Sequence, residues 1–254
     1  MIIYFILIFI IWVVYTYSSS FIVESFNTNI QKSYLIYCIN MDKSADRWQN
    51  ILNYKKKNNV DIIRFTGYNG KTLNTSKYTK NGYLSIYNTL ESGQIGCALS
   101  HVSLWEKCKT MDQSYFIILE DDVILPNHFI KTLECILQHA PIGWDIVYLG
   151  GCYVKGSLVN SQFIKPTAYD SGFNLCTHAY ILNKQSIPKM IDIMKPIQLP
   201  IDNQLRKHFS KLNVYFYYKN IVKQNNTFNT TIAEKKRLKY HSIFHNNSNN
   251  IVIV

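Results

Sequence analysis

The chain has 254 residues, 47% hydrophobic and 14% aromatic, which builds a packed core and excludes a disordered chain. Its formal net charge is +11, but the cations are 23 Lys against 4 Arg, and bidentate reading of phosphates and bases favours Arg. No nucleic-acid partner is expected, since a joint excess of Asn, Ile, Tyr and Lys is what an A+T-rich coding sequence imposes.

The chain opens MIIYFILIFIIWVVYTY, with no charged side chain before Glu24. A helix over residues 1–17 spans about 26 Å, short of a hydrocarbon core of about 30 Å. The leading expectation is a single-pass signal-anchor at 1–17, making the chain membrane-associated, on a side that the flanks do not encode. Ser18, Ser19 and Ser20 fit a cleaved signal peptide instead, although a basic n-region is missing. A buried core segment is the third reading. Residues 18–32 read as a stem, 33–232 as the folded domain and 233–254 as a polar basic tail.

SYLIYCIN (33–40) suits a buried strand. SADRWQNILNYKKK (44–57) suits a helix, with Trp48, Ile51 and Leu52 on one face, Asp46 early and lysines late. VDIIRFTGYNGK reads as a strand and a Gly-containing turn, and 72–91 as a long loop. ESGQIGCALSHVSLWEKCK (91–109) is helical, with Ile95, Leu99, Val102 and Trp105 as the buried stripe and Gln94, Cys97, Ala98 and His101 on a neighbouring face. YFIILE is a strand and PNHFIKTLECILQHA a helix. WDIVYLGG is a strand, followed by a variable stretch to about Gly172. LCTHAYIL is a strand, KQSIPKMIDIM and 201–210 are helices, and NVYFYY is a strand. Alternating strands and helices predict a mostly parallel sheet with helices on both faces and ligands beyond the strands' carboxyl ends.

Glu120, Asp121 and Asp122 sit at such an end. Extended backbone puts Glu120 and Asp122 on one side and Asp121 on the other. Converging carboxylates need neutralising, and oxygen ligands suit Mg2+ or Mn2+. Helix capping or a plain strand end is the alternative. Asn40, Asp42 and Arg47 fit a nucleotide pocket, with Asn and Asp on base or ribose and Arg on phosphate; a surface ion pair is the bland reading for Arg47. His101 fits a satisfied core histidine, His178 either core or a ligand, and Asp202 an N-cap. The six cysteines (38, 97, 108, 135, 152, 176) form no CxxC pair or Cys/His ladder, which argues against zinc. They read as small core residues, with room for one disulfide of unspecified pairing in an oxidising compartment. Sequons begin at Asn74, Asn225, Asn229 and Asn246.

In this order, INMDKSADRW, FTGYNGK, ESGQIGCALSHVSLW, FIILEDDVIL, WDIVYLG, CTHAYIL and LPIDNQL resemble glycosyltransferase family 25, over about residues 33–225. The resemblance implies a single GT-A-like domain with a Rossmann-type sheet. It implies transfer of a hexose, galactose or glucose, from a UDP-sugar to a glycan or hydroxylated protein acceptor, with inversion. By position it implies Glu120, Asp121 and Asp122 as the motif for Mn2+ or Mg2+, with Asp122 the favoured direct ligand. Asn40, Asp42, Arg47, His101, Thr177 and Gln224 fall in donor-binding positions. Asp202 is the expected catalytic base, Asp170 a weaker candidate, and His178 reaches the metal or the diphosphate. One departure stands out. Gln94 occupies a position where the family usually has Glu, and Gln cannot act as a base. An inactive relative that binds a glycan or partner, and a metal-dependent phosphoesterase, are the alternatives. Acceptor recognition is expected in the loops 72–91 and 152–172.

Overall fold

The computed structural model describes residues 33–167, 172–225, 227–228 and 251–253, with Trp12 and Tyr15. The stem at 18–32, Asp170 and most of the tail lie outside the described residues. The chain divides into two units, Met1–Tyr34 and Leu35–Val254, and the elements below belong to the second apart from the first residue of the first strand. Among the described residues no helix is long and apolar enough to cross a membrane. This corrects the expected single-pass anchor and membrane association. The run at 1–17 is shorter than a bilayer core requires, and only Trp12 and Tyr15 of it are described.

The first half follows the local pattern closely. β1 (Tyr34–Asn40) is buried along nearly its whole length and pairs in parallel with β2 (Ile63–Thr66). Between them lies α1 (Ala45–Asn58), with Asp46 in its first turn and Lys55, Lys56 and Lys57 in its last, complementing the helix dipole. Its inward face differs from the expected one. Ile51 is buried, Leu52 is exposed, and Arg47 takes a buried place. α2 (Thr75–Lys80) interrupts the expected long loop, and the Asn74 side chain caps it by accepting the Lys77 N–H. α3 (Ser92–Lys109) buries Ile95, Leu99, Val102 and Trp105 as expected.

β3 (Tyr115–Glu120), β4 (Val123–Ile124), α4 (Phe129–His139) and β5 (Ile146–Cys152) follow. The stretch expected to be irregular forms a hairpin of β6 (Val154–Leu158) and β7 (Phe163–Pro166). Its turn is closed by Asn160, whose side-chain oxygen accepts the N–H groups of Gln162 and Phe163. β8 (Leu175–Asn183), α5 (Ile187–Met194), α6 (Ile201–Lys207), β9 (Val214–Tyr217), β10 (Lys223–Gln224) and β11 (Ile251–Ile253) complete the order. The nine-stranded sheet runs β11-β6-β7-β9-β5-β8-β3-β1-β2, and β10 pairs with β4 separately. β1/β2, β5/β9 and β11/β6 are parallel, whereas β8 runs against both β3 and β5.

That reversal positions the site. Leu119 near the end of β3 pairs with Ala179 in the middle of β8, so Thr177 and His178 lie beside Glu120. A disulfide between Cys152 and Cys176 joins the end of β5 to the start of β8 at the same edge, and the other four cysteines are free. The loop 67–71 lies directly on α3. A Cβ on Gly70 would stand 1.6 Å from the Ser92 carbonyl oxygen, and one on Gly96 2.6 Å from the Tyr68 carbonyl oxygen. We therefore expect Gly70→Ala to destabilise the fold by about 1–3 kcal/mol, as overpacking does, read as a shifted urea midpoint at unchanged m.

Candidate active site

Two cavities open at the carboxyl edge of β1 and β3. The first, about 120 Å³, is walled by the loop 67–71, by Lys43 and Arg47, by Cys97 and His101 on α3, and by the three acids. The second, about 260 Å³, is walled by Gln94, Thr177, Cys176, Pro200 and Asp202. Cys97, Glu120 and Gln224 line both, so Glu120 stands in the shared wall.

The three acids have three different surroundings. Asp121 is 7% exposed. Its Oδ1 accepts from Arg47 Nη1 at 2.8 Å and its Oδ2 from Asn40 Nδ2 at 2.7 Å. Asn40 also donates to the Ser44 carbonyl and accepts from Arg64 Nε, so it is fully used as a clamp. The buried place of Arg47 on α1 follows from this pairing, since a buried guanidinium needs a counter-charge. Arg47→Ala would strand Asp121 in the interior. We expect a loss of about 3–5 kcal/mol, the scale for breaking a buried pair, measured by chemical denaturation.

Asp122 is different. Its Oδ1 is buried and has no hydrogen-bond partner. Burial, then the charges of Glu120 and Asp121, raise its carboxyl to about 7. Glu120 faces the opposite pull. Burial pushes its carboxyl up, but His101, His178 and Thr177 outweigh that and hold it below the ordinary value. Thr177 Oγ1 donates to Glu120 Oε1 at 3.1 Å, and His101 Nε2 lies 3.4 Å from the same oxygen.

In the second cavity, Asp202 sits in the first turn of α6. Its Oδ1 accepts the Asn203 N–H and its Oδ2 the Cys176 N–H. Burial nonetheless raises its carboxyl above the ordinary aspartate value. Cys176 makes its contact from a left-handed backbone conformation, φ +73°, a strained geometry for a side-chain-bearing residue.

Several expected residues stand elsewhere. Asp42 is exposed, pairs with Arg64 and lines neither cavity. Asn40 lines neither. His178 is buried behind the wall, its Nε2 donating to the Val222 carbonyl at 3.0 Å. Gly150 makes this approach possible, because a Cβ there would stand 2.2 Å from that nitrogen. Gln94 accepts the Glu91 N–H at 3.0 Å, the third position of a capping box, where Gln and Glu serve alike. Arg47, His101, Thr177 and Gln224 do line the cavities. Sequence reasoning missed Lys43, Lys71 and Cys97 as cavity residues. The glycines of FTGYNGK were the available signal, since backbone packed against a helix start leaves its neighbours facing the gap.

The family model for glycosyltransferase family 25 (LPS biosynthesis protein) matches residues 34–205. A glycosyltransferase 25 family member from Aedes aegypti is 26% identical over 182 residues, covering 67% of this chain and 30% of that protein. Procollagen galactosyltransferase 2 from Homo sapiens is 29% identical over 198 residues, covering 72% and 31%. A probable inactive glycosyltransferase 25 family member 3 from Rattus norvegicus is 26% identical over 189 residues, covering 69% and 33%. The matches span about a third of these relatives' length. The family model covers well over half of the chain, and its motif blocks meet around one pair of cavities: the chain belongs to glycosyltransferase family 25.

Proposed function

We propose that the chain is a metal-dependent hexosyltransferase that moves galactose or glucose from a UDP-sugar to a hydroxyl of a glycan or hydroxylated protein acceptor, with inversion. The observation that carries this reading is the pair of cavities meeting at Glu120, one lined by cations and by Asp122, the other by the half-buried carboxylate of Asp202. Lys43 and Lys71 line the first cavity and offer cations to a diphosphate there, beside Arg47, whose charge is balanced by Asp121. The unpartnered Oδ1 of Asp122 fits a ligand of Mn2+ or Mg2+. When bound, such an ion neutralises charge on the departing diphosphate. Asp121 serves by position, held by Arg47 and Asn40, rather than as a ligand.

The acceptor hydroxyl enters the second cavity. Its oxygen forms a bond to the anomeric carbon as the bond to the diphosphate oxygen breaks, and the electron pair leaves with UDP. Asp202 takes the hydroxyl proton, a task that suits a carboxyl raised by burial. Attack from the side opposite the leaving group inverts the anomeric centre.

The test is release of UDP from UDP-galactose and UDP-glucose with Mn2+, first to water and then to saccharide and hydroxylysine-peptide acceptors. Calorimetry with UDP provides the companion prediction. Binding is expected with Mn2+ and is expected to weaken at least about tenfold in EDTA, as when a charge-neutralising ligand bridge is lost. Metal-dependent UDP binding with no turnover on any donor would favour a binding protein, the reading raised by Gln94. The capping role of Gln94 speaks against that reading. Release of phosphate from simple esters would favour a phosphoesterase.

A further inference from the structure

Cys97 and His101 lie one helical turn apart on α3, and β3 brings Glu120 to them, so that one ligand atom from each lies within 4.8 Å of the others. His101 is 1% exposed, and its Nε2 has no hydrogen-bond partner. That nitrogen is aimed at Glu120 Oε1 across 3.4 Å. The gap is long for a charge-assisted hydrogen bond. It is the right length for two ligands of one tetrahedral ion, which stand about 3.3–3.4 Å apart when each bond is about 2.0–2.1 Å.

The supporting groups are in place. His101 Nδ1 is bonded to the Tyr180 hydroxyl at 2.8 Å, and Trp105 Nε1 donates to that same hydroxyl at 2.8 Å. The ring is thus fixed with Nε2 toward Glu120. Thr177 orients the carboxylate from the other side. Outer contacts of this kind fix the direction of metal ligands.

We propose that Cys97, His101 and Glu120 form a zinc site in the wall between the two cavities, with its fourth position open to substrate space. A sulfur, a nitrogen and an oxygen donor select a borderline-soft ion such as Zn2+ over Mg2+ or Mn2+. Three protein ligands with one open position is the arrangement of zinc sites that take water or substrate as the fourth ligand. Cys97 and Glu120 line both cavities, so that position faces ligands from either side. On binding, the Sγ–Zn bond forms and the thiol proton passes to solvent. Asp122 is not among its three ligands, and the site stands whether or not the chain transfers sugar. No Cys/His ladder in the sequence announces it, because its third ligand comes from another element.

Cobalt reports this site directly. The untagged full chain, stripped with EDTA and left without reductant, is titrated with Co2+ in the absence of nucleotide. One Co2+ per chain is expected, with near-ultraviolet sulfur-to-cobalt absorption and the intense visible bands of a tetrahedral centre, displaced by Zn2+. The sulfur band should vanish in Cys97→Ser and persist in Asp122→Ala. A wild-type chain with no sulfur band overturns the proposal without any variant. A band that survives in Cys97→Ser overturns it as well. So does a band lost in a Cys152→Ser/Cys176→Ser double variant that still gives the wild-type circular dichroism spectrum, since the sulfur would then belong to the other cysteine pair.

Discussion

If the chain transfers sugar as proposed, Asp202→Asn is expected to lower the rate by about 10²–10⁴-fold, the range for removing a positioned general base, and to leave the KM for the donor unchanged. The substitution keeps the size of the side chain and one of the two acceptors that the Asn203 and Cys176 N–H groups use. It removes the ability to take a proton. Donor affinity is spared because Asp202 lines the second cavity only. A pH profile adds a second readout. A base works when deprotonated, so activity falls as pH falls through its pKa. Burial raises the Asp202 carboxyl, so the acid limb of kcat/KM should lie above the ordinary aspartate range and disappear in the variant. Wild-type kcat in Asp202→Asn would remove Asp202 from the mechanism.

Asp122→Ala is expected to cost about 10²-fold or more in rate, the several kcal/mol that a metal contact supplies at a developing charge, and to abolish the Mn2+ dependence of UDP binding. The reason is the single bare oxygen, the carboxylate oxygen of the acidic cluster that is buried without a partner. Without a cation this carboxyl is raised from 3.8 to about 7 by burial and by Glu120 and Asp121. The folded state then holds a proton that the unfolded state has lost. The metal-free protein is therefore expected to lose stability as pH rises from about 4 to about 7 and to level off above that. A divalent ion replaces the proton, so its apparent affinity should fall about tenfold per pH unit below about 7. Fluorescence-detected melts with and without Mn2+ across this window measure both effects. Wild-type metal dependence in Asp122→Ala would show that the ion is held elsewhere.

Where local pattern and packing agree, the elements were legible. The buried stripe of α3 is the expected one, because Ile95, Leu99, Val102 and Trp105 recur at helical spacing and face one core. β1 and β3 were equally plain, as apolar runs ending in polar residues. The β6–β7 hairpin was not. Its strands are short and carry Gly156, Lys155 and Lys165, which pairing across the hairpin tolerates and local propensity disfavours. The exposure of Leu52 and burial of Arg47 likewise reverse the apolar reading of α1.

The same division runs through the site. The sequence alone determined that three acids end a strand where α/β folds bind ligands, and the ordered blocks around them carried the family. It did not determine what each acid does. Asp121 is claimed by Asn40 and Arg47, 81 and 74 positions away, and Glu120 accepts from Thr177 on an antiparallel strand, with His101 Nε2 3.4 Å away. Asp122 is left with an oxygen unclaimed. A carboxylate's role depends on which donors and charges surround it, and those are set by contacts between elements distant in the chain. Only the tertiary structure could therefore separate the clamp, the wall between the cavities and the carboxylate with an unpartnered oxygen.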